Sequence, residues 1–248
     1  FDNQLIPGMK YVQSSSDNGK LVMVKPSISK ETIDLAKTIF AGEDQAFVEQ
    51  ILDVWLPIFE EAPPKARKLA IDIEVYTPFK GRIPSAKLAE YPVISISLVD
   101  DSGFKKVLVL GRESTWEEPP DEYPYDAVVE VFDSEKALIL EAIRIMQQYP
   151  VVVTFHGANF DLLYLYTRSL KIGIPREYLP FRIGKDIVRL QTGIHLDLYK
   201  FFKNRAIKAY AFKGKYREDN LDAVASALLG ITKLHYAENI SDLPLPKL

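Results

Sequence analysis

The sequence contains no cysteine, few histidines and no long hydrophobic run. The absence of cysteine excludes disulfide bonds and thiolate metal ligands, and the three histidines are too scattered along the chain to favour a zinc site. No apolar stretch approaches the roughly 18 residues that would cross a bilayer, and no signal-peptide pattern opens the chain. We therefore expect a soluble, cytoplasmic protein without a membrane partner, in which carboxylates are the available ligands for a metal ion.

The composition is that of a folded protein with little net charge. With 248 residues and 47% hydrophobic content, the chain can bury a full core in one domain, or in one domain with an appendage. Its formal charge of −3 argues against a surface that is basic throughout, so any polyanion is expected to bind a local patch. The absence of cysteine, the three methionines and the sixteen prolines suit a protein from a hot environment.

The first part of the chain has mixed local patterns. An alternating apolar run at Lys20–Lys25 predicts one strand of a hairpin. Two helices are expected after it, the first capped by Ser29 and the second spanning Ala46–Leu56 and ending near Pro57. This stretch therefore predicts a small α+β unit.

The second part begins after a linker at Pro63-Pro64, so we predict one unit over residues 1–66 and a separate domain over residues 67–248. Three successive strand patterns predict an antiparallel meander, and the later strands alternate with helices. The predicted strands cover residues 69–76, 93–99, 105–110, 128–132 and 151–155, and the predicted helices cover residues 134–148 and 161–171. This order predicts an α/β fold in which a mixed sheet is flanked by helices.

The strand at residues 69–76 carries two acids within a β-branched apolar run. Side chains alternate between faces in an extended strand, so Asp72 and Glu74 point to one side while the apolar residues between them pack on the other. Two neighbouring carboxylates repel each other and lose hydration unless they share a cation. A hard divalent ion such as Mg²⁺ or Mn²⁺ suits these oxygen ligands. The alternative is an edge strand whose polar face is solvated.

A second acid lies just after the predicted strand at residues 151–155. Because loops that leave strand ends build the site in open α/β sheets, Asp161 is expected near the acids of the earlier strand. Asn159 or Asp161 could instead only cap the next helix, since both residue types favour first turns. Together, Asp72, Glu74 and Asp161 could hold two metal ions roughly 4 Å apart for phosphodiester hydrolysis.

A segment between Lys200 and Arg217 interleaves cations with aromatic residues and contains no acid. Such a segment can follow a nucleic-acid backbone and stack bases. A turn at Gly214 predicts a hairpin that projects this charge outward. The alternative is a solvated charged face whose aromatic side chains feed the core. The residues that we expect to contact nucleic acid here are Lys208, Tyr210, Lys213, Lys215 and Arg217.

These motifs resemble those of the family B DNA polymerases. Asp72-Ile73-Glu74 is similar to the first exonuclease motif of that family, and Phe155-His156-Gly157 with Asn159-Phe160-Asp161 is similar to the second. The flanking sequence and residues 195–200 and 220–225 also resemble the archaeal replicative enzymes, most closely the crenarchaeal type. The order and spacing of the short motifs make the combination specific, and the resemblance covers nearly the whole chain.

The resemblance implies a ribonuclease H-like fold and a 3′→5′ exonuclease that proofreads the growing DNA strand. Asp72 is then implied to contact both metal ions, Glu74 to bind the ion on the nucleophile side, and Asp161 to hold the second ion largely through water. We also expect His156 and the pair Asn159-Phe160 to contact nucleic acid. The implied partners are single-stranded or primer-template DNA, the remainder of a polymerase chain and a sliding clamp.

Two departures from the family pattern bear on the expected activity. The third exonuclease motif, a tyrosine followed four residues later by an aspartate, is not found, since Tyr236 has Ile240 at that distance and Asp242 comes too late. We expect that motif to lie beyond Leu248, which would leave this chain slow or inactive in isolation. His156 stands where the family usually carries asparagine, and it is either a contact to a phosphate or terminal nucleotide or a satisfied histidine at a strand end.

A competing function of a different class remains open. In that interpretation the fold is a non-catalytic module that binds single-stranded DNA or serves as a scaffold, although the three acids favour an enzyme. Asp197 opens a helix and is expected to act as its cap rather than as a fourth metal ligand. Leu5-Ile6-Pro7 resembles part of the uracil-sensing pocket of archaeal relatives, but Gly8 departs from that pattern, so we predict no strong uracil recognition.

Overall fold

The computed structural model describes residues 10–14, 20–24, 27–60, 65–79, 81–112, 126–184, 188–232 and 243. The chain divides into two compact units, Phe1–Lys65 and Ala66–Leu248. Whether these units correspond to a polymerase N-terminal segment and an exonuclease domain stays a prediction at this point. Tyr236, Asp242 and the segment Leu5-Ile6-Pro7 lie outside the described residues.

The described residues of the first unit form a hairpin and a set of short helices. They are β1 (Lys10–Gln13), β2 (Leu21–Val24), α1 (Lys30–Ile39), α2 (Gln45–Gln50) and α3 (Leu56–Glu60). Strands β1 and β2 are antiparallel, which confirms the predicted hairpin. Ser29 caps α1, as predicted, because its hydroxyl accepts a hydrogen bond from the Thr32 amide at 3.1 Å.

The second helix of this unit continues past Pro57, so its predicted end was wrong. Helix α2 passes through a π-helical turn at Ile51–Trp55 into α3, and Pro57 lies in the first turn of α3. In the π turn the Leu56 amide bonds to the Ile51 carbonyl, five residues back. Because this wider turn displaces the carbonyls that a proline ring would otherwise meet, the helix continues through the proline.

A six-stranded mixed sheet forms the centre of the second unit. The strands of this unit are β3 (Lys68–Val75), β4 (Val93–Asp100), β5 (Lys105–Leu110), β6 (Val128–Phe132), β7 (Val151–Thr154), β8 (Phe181–Ile183), β9 (Val188–Leu190) and β10 (Ile194–Asp197). The sheet has the order β10-β7-β3-β4-β5-β6, and β8 and β9 form a separate hairpin. Strands β3, β4 and β5 are successively antiparallel, which confirms the predicted meander, whereas β6, β7 and β10 each run parallel to a neighbour.

Helices flank this sheet and confirm the predicted α/β class. They are α4 (Glu135–Met146), α5 (Asp161–Lys171), α6 (Leu198–Phe202) and α7 (Leu221–Leu229). Helix α4 begins at a Ser134 cap, and α5 has the limits that its sequence pattern predicts. In the described part of the chain, no helix is long and apolar enough to cross a membrane.

The core lies between the sheet and helices α4 and α5. Fully buried side chains come from β3, β4, β5, α4 and α5, and they include Leu69, Ile96, Leu98, Leu108, Leu138, Ile139, Leu162 and Leu165. Burial of each such side chain contributes roughly 1.5–3 kcal/mol. The elements that carry the predicted acids, β3 and α5, are therefore anchored in the most tightly packed part of the domain.

Strand β3 is a central strand with neighbours on both sides, so the edge-strand alternative for its two acids was wrong. Its residues alternate strictly, since Leu69, Ile71, Ile73 and Val75 are buried and the residues between them are exposed or partly exposed. This alternation places the two acids of β3 on one side of a strand that cannot move independently of the sheet.

Candidate active site

The three predicted acids lie around one cleft at an end of the sheet. Asp72 and Glu74 occupy the less buried side of β3, and Asp161 is the first residue of α5, after the loop that leaves β7. Strands β3 and β7 are parallel, so both reach this end of the sheet. All three acids line the same open cavity, which has a volume of about 490 Å³.

The register of two strands explains how Asp161 reaches β3. The last paired residues are Ala70 of β3 and Val153 of β7, and β7 ends one residue later. Strand β3 continues to Val75, so its backbone loses its neighbour on that side. The Ile73 amide there donates a hydrogen bond to Oδ1 of Asp161 at 3.4 Å. The carboxyl group of Asp161 thus lies beside β3 where β7 has ended.

Asp161 is an almost fully buried carboxyl group with a perturbed affinity for protons. Its side chain belongs to a residue that is only 4% exposed. Burial is the largest cause that raises the pKa of Asp161 to about 7, and the nearby charges of Asp72 and Asp197 raise it further, while hydrogen bonds from its own amide and the Ile73 amide act in the opposite direction. A cation held between Asp161 and Asp72 would offset both the burial and the repulsion.

Helix capping does not account for this environment. Phe160 occupies the cap position of α5 without a side-chain hydrogen bond, and Asp161 is the first helical residue. The carboxyl group of Asp161 accepts its hydrogen bond from β3, a separate element. The position of Asp161 therefore serves the cleft as well as the start of the helix.

The chemistry of the three acids fits a hard divalent ion. All the donors are carboxylate oxygens, which such ions prefer to nitrogen and sulfur. Within the described residues, no group of three or more His, Cys, Asp or Glu side chains is arranged closely enough to hold a metal ion. The cleft thus gathers suitable ligands without a closed ligand set, and the metal-binding roles of Asp72, Glu74 and Asp161 stay predictions.

The loop between β7 and α5 fits closely against the strand that precedes it. A Cβ atom at Gly157 would lie 2.5 Å from the Thr154 side chain, so a larger residue there would displace the loop or the strand. His156 has a φ of 70°, in the left-handed region that few residues other than glycine adopt. This loop therefore holds an unfavourable conformation that its surroundings must maintain.

Asp197 provides contacts to this loop that the sequence analysis missed. It caps α6 through the Tyr199 amide, as predicted, and it also accepts hydrogen bonds from the amides of His156 at 2.7 Å and Ala158 at 3.2 Å. The signal was its place at the end of β10, because β10 runs parallel to β7 and ends at the same side of the sheet. It does not line the cleft with the three acids.

An aromatic cluster borders the cleft on the side of β10. The rings of Phe155 and His156 each meet the ring of Tyr199 edge-on, with centroids 5.8 and 4.5 Å away. These three residues also line a second depression, which Asn220 and Leu221 help to form. Because Phe155 and His156 line both cavities, the cleft continues past the exposed His156 toward the start of α7.

The other two residues of the second motif lie between the loop and α5. Phe160 lines the cleft and packs against Tyr164, with ring centroids 5.8 Å apart. Asn159 is partly buried, and its backbone amide donates to the His156 carbonyl at 3.1 Å. The nucleic-acid contacts assigned to His156, Asn159 and Phe160 stay predictions.

The basic segment is helical, so the predicted hairpin around Gly214 was wrong. A π-helical turn spans Ile207–Ala211, and the chain then reverses through Lys213 and Gly214, which both have positive φ angles. Glycine at a turn is compatible with either structure, and the alternating pattern that a hairpin needs is missing on its two sides. The segment still projects outward, because Tyr210 is 86% exposed.

Some residues of the basic segment have structural roles. The rings of Phe202, Phe212 and Tyr216 pack on one another, and Tyr216 is buried, so the aromatic residues partly form a small local core, as the alternative interpretation stated. Lys208 donates to Asp219 at 3.0 Å and lies over the Tyr216 ring. The exposed residues, whose contacts with nucleic acid stay predictions together with that of Lys208, are Tyr210, Lys213, Lys215 and Arg217.

Comparison with known proteins identifies the family. A sequence model described as DNA polymerase family B, exonuclease domain, matches residues 49–216. The chain belongs to the family B DNA polymerases. The matched range includes the three acids, the loop after β7 and nearly all of the basic segment. The six-stranded mixed sheet flanked by helices is accordingly the ribonuclease H-like exonuclease fold of this family.

Several curated family B polymerases are similar to this chain over its full length. "DNA polymerase 1" of Sulfurisphaera ohwakuensis is 47% identical over 248 residues, and that of Aeropyrum pernix is 40% identical over 248 residues. A "DNA polymerase" of Thermococcus gorgonarius is 29% identical over 73% of this chain. The chain spans 28%, 25% and 22% of these three relatives, respectively. The predicted resemblance to crenarchaeal family B polymerases is confirmed.

Proposed function

We propose that this chain is the 3′→5′ exonuclease region of a DNA-directed DNA polymerase and removes mispaired nucleotides from the primer end. The observation that carries the proposal is that Asp72, Glu74 and Asp161 line one cleft in a family B exonuclease domain. A buried carboxyl group beside other carboxylates is costly for stability and is typical of functional sites.

Asp72, Glu74 and Asp161 hold Mg²⁺ or Mn²⁺ in this proposal, with Asp72 as a ligand of both ions. When bound, the two ions supply an activated water and a clamp on the leaving oxygen of the phosphodiester. The protein contributes the placement of the carboxyl groups. Strand β3 presents Asp72 and Glu74 on one side, and the Ile73 amide holds Asp161 beside them.

The substrate is single-stranded DNA or the frayed end of primer-template DNA. His156, Asn159 and Phe160 contact the terminal nucleotide, and the exposure of His156 at the junction of two cavities supports this role. A strand that leaves the cleft past His156 then meets the exposed side chains of the basic segment. Their positive charge suits a phosphate backbone, and the exposed ring of Tyr210 suits stacking on a base.

The partners and location follow from the proposed role in replication. The exonuclease region acts with the remainder of a polymerase chain in the cytoplasm, and a sliding clamp holds the polymerase on DNA. The length of the similar polymerases, of which this chain spans about a quarter, supports a partnership with further polymerase domains.

One observation favours a second candidate function, a module that binds single-stranded DNA without cleaving it. The described acids do not form a closed metal-binding group, whereas the basic segment and its exposed aromatic ring are present. In such a module the three acids would be inherited from an enzyme and would hold no ion. Binding of DNA would then be independent of divalent cations, and no nucleotides would be released.

The two functions are separated by digestion of a 3′-labelled oligonucleotide with Mg²⁺ or Mn²⁺. The assay uses the natural protein at its full length, as wild type and as Asp72→Ala. We expect wild type to release mononucleotides in a divalent-dependent reaction. Asp72→Ala should slow this release by more than the about 10- to 100-fold that loss of a supporting residue costs at a metal site.

A matched control is Asp101→Ala, which removes an exposed acid that pairs with Lys68 at the opposite end of β3. This variant should trim DNA at the wild-type rate. Equal rates for wild type and Asp72→Ala, or DNA binding without any trimming by wild type, would rule out the exonuclease and leave the binding module.

A further inference from the structure

Asp197 joins backbone amides from two elements that meet at the cleft. Its Oδ1 accepts hydrogen bonds from the amides of His156 at 2.7 Å and Tyr199 at 3.2 Å, and its Oδ2 accepts one from Ala158 at 3.2 Å. A carboxylate has about four acceptor positions, and bonds to its charged oxygens are stronger than those between neutral groups. Capping of α6 uses only the bond from Tyr199, so the other two bonds need a separate explanation.

The loop that Asp197 holds is built directly into the start of α5. The His156 carbonyl accepts hydrogen bonds from the amides of Asn159 and Phe160, both at 3.1 Å, and the Gly157 carbonyl accepts one from Leu162 at 2.9 Å. A continuous set of hydrogen bonds therefore runs from Asp197 through the loop to the first turn of α5. Asp161 lies within that turn.

The loop needs external support because its own conformation is unfavourable. His156 has a φ of 70°, which costs free energy for a residue with a side chain, and Gly157 lies so close to Thr154 that the loop has little freedom on that side. The bonds from Asp197 reach the amides immediately before and after Gly157. They therefore compensate for the unfavourable conformation at the position where it occurs.

We propose that Asp197 is a positioning residue of the exonuclease: through the His156 and Ala158 amides, it fixes the loop that places Asp161 against β3. This inference rests on the proposed function for its effect on catalysis, and on the hydrogen bonds alone for its effect on the loop. Asp197 contacts neither substrate nor metal ion in this role.

Two substitutions separate positioning from the simpler roles of Asp197. Asp197→Asn retains an oxygen that can cap α6, since asparagine is among the best capping residues, but its NH₂ group replaces one of the two acceptors. Asp197→Glu retains the negative charge but moves both oxygens by the length of one methylene. A residue that only caps would tolerate asparagine, and a residue that only supplies charge would tolerate glutamate.

Amide hydrogen exchange tests the loop directly and does not depend on activity. In both variants we expect the amides of His156 and Ala158 to exchange about tenfold faster or more, because each variant loses at least one acceptor of the loop. Amides of α4 should exchange as in wild type. Wild-type exchange at His156 and Ala158 in either variant would overturn the proposal.

Trimming of a 3′-labelled oligonucleotide by the full natural protein tests the consequence for catalysis. Both variants should lower kcat by about 10- to 100-fold, while the KM for DNA stays within about threefold, because the DNA-contacting surface is retained. Ser134→Ala removes the cap of α4, a remote helix, and should leave kcat unchanged. A wild-type kcat in Asp197→Asn or Asp197→Glu, or a change confined to KM, would contradict positioning.

Asp72→Ala in the same experiment distinguishes failure of this inference from failure of the proposed function. If Asp72→Ala is inactive and Asp197→Asn trims normally, only the positioning role is wrong. If wild type and Asp72→Ala are equally active, the proposed exonuclease site is wrong. Faster loop exchange in the Asp197 variants would in that case support a role of Asp197 in the loop alone.

Discussion

At the scale of the residue, polar side chains in this cleft bind to the backbone of elements other than their own. Asp161 opens α5 and accepts from β3, and Asp197 ends β10 and accepts from the loop after β7. Alternation within a strand identified Asp72 and Glu74 in the sequence, because that pattern is local. The backbone partners of Asp161 and Asp197 were not predictable, since they depend on which of two parallel strands ends first.

His195 gives a pH dependence of stability that belongs to the same scale. Its Nε2 lies 2.9 Å from the hydroxyl of Thr154, and burial is the main cause that lowers its pKa, with Lys200 and Arg189 acting in the same direction and Asp197 opposing them. In the unfolded chain the pKa of histidine is about 6.5, so the unfolded state gains the proton first as the pH falls. The contribution of His195 to stability is therefore complete above about pH 6.5 and is lost as the pH falls toward the folded-state pKa.

Urea unfolding of wild type and His195→Gln across this range measures the effect. Glutamine keeps a polar end near Thr154 and has no charged form, so the difference in unfolding free energy between the proteins should be constant above pH 7. Below about pH 6.5 wild type should lose stability relative to the variant. Parallel curves from pH 7.5 to pH 5 would show that burial of His195 does not affect its protonation.

At the scale of the element, an ion pair between α4 and α5 fixes the loop that ends at β4. Arg168 binds Glu135 through two bonds of 2.8 Å and also donates to the carbonyls of Ala89 and Glu90. Glu135 in turn accepts from the Val93 amide. Both charged side chains are largely buried, at 15% and 11% exposure, so loss of either one leaves an uncompensated charge.

We expect Arg168→Ala to lower the free energy of unfolding by about 3 kcal/mol, for this reason. Arg168→Lys should cost less but still destabilise the domain, because lysine cannot form the two-bond contact. The control is Lys68→Ala, which breaks an exposed pair with Asp101 and should change stability little. Chemical denaturation measures all three variants. Equal stability of Arg168→Ala and Lys68→Ala would show that the α4–α5 pair adds nothing.

Elements with clear local signals were predicted well from the sequence. The three strands of the meander have continuous apolar runs bounded by turn residues, and α4 and α5 have apolar faces with the period of a helix. The failures occurred at Pro57 and Gly214, where the chain adopts a π-helical turn. Such turns have no periodic pattern of their own, and proline or glycine beside them suggests a helix end or a hairpin instead.

At the scale of the whole molecule, the net charge is small and negative, while the proposed DNA surface is local and positive. Removal of three exposed cations from the basic segment should therefore weaken binding of single-stranded DNA and reduce its dependence on salt. For Lys213→Gln, Lys215→Gln and Arg217→Gln combined, the slope of log affinity against log salt should become less negative by about 2, since each single-strand phosphate contact contributes roughly 0.7.

The matched control removes the same charge from the first unit. Lys20, Lys30 and Lys37 are exposed there, and replacing all three with glutamine should leave the salt slope unchanged. Fluorescence anisotropy with a labelled oligonucleotide at several salt concentrations gives both slopes. The same slope for both triple variants would mean that DNA responds to overall charge and does not contact the basic segment.

The most direct measurement of the central claim is a crystal structure of the protein with Mn²⁺, in which anomalous scattering locates the ion. We predict an anomalous peak in the cleft, about 2.1–2.2 Å from carboxyl oxygens of Asp72 and Glu74 and on the side that faces Asp161. In Asp161→Asn, which keeps the shape of the side chain and removes its charge, the peak should weaken or disappear. A cleft without a peak at millimolar Mn²⁺, or an ion bound only at other residues, would contradict the account.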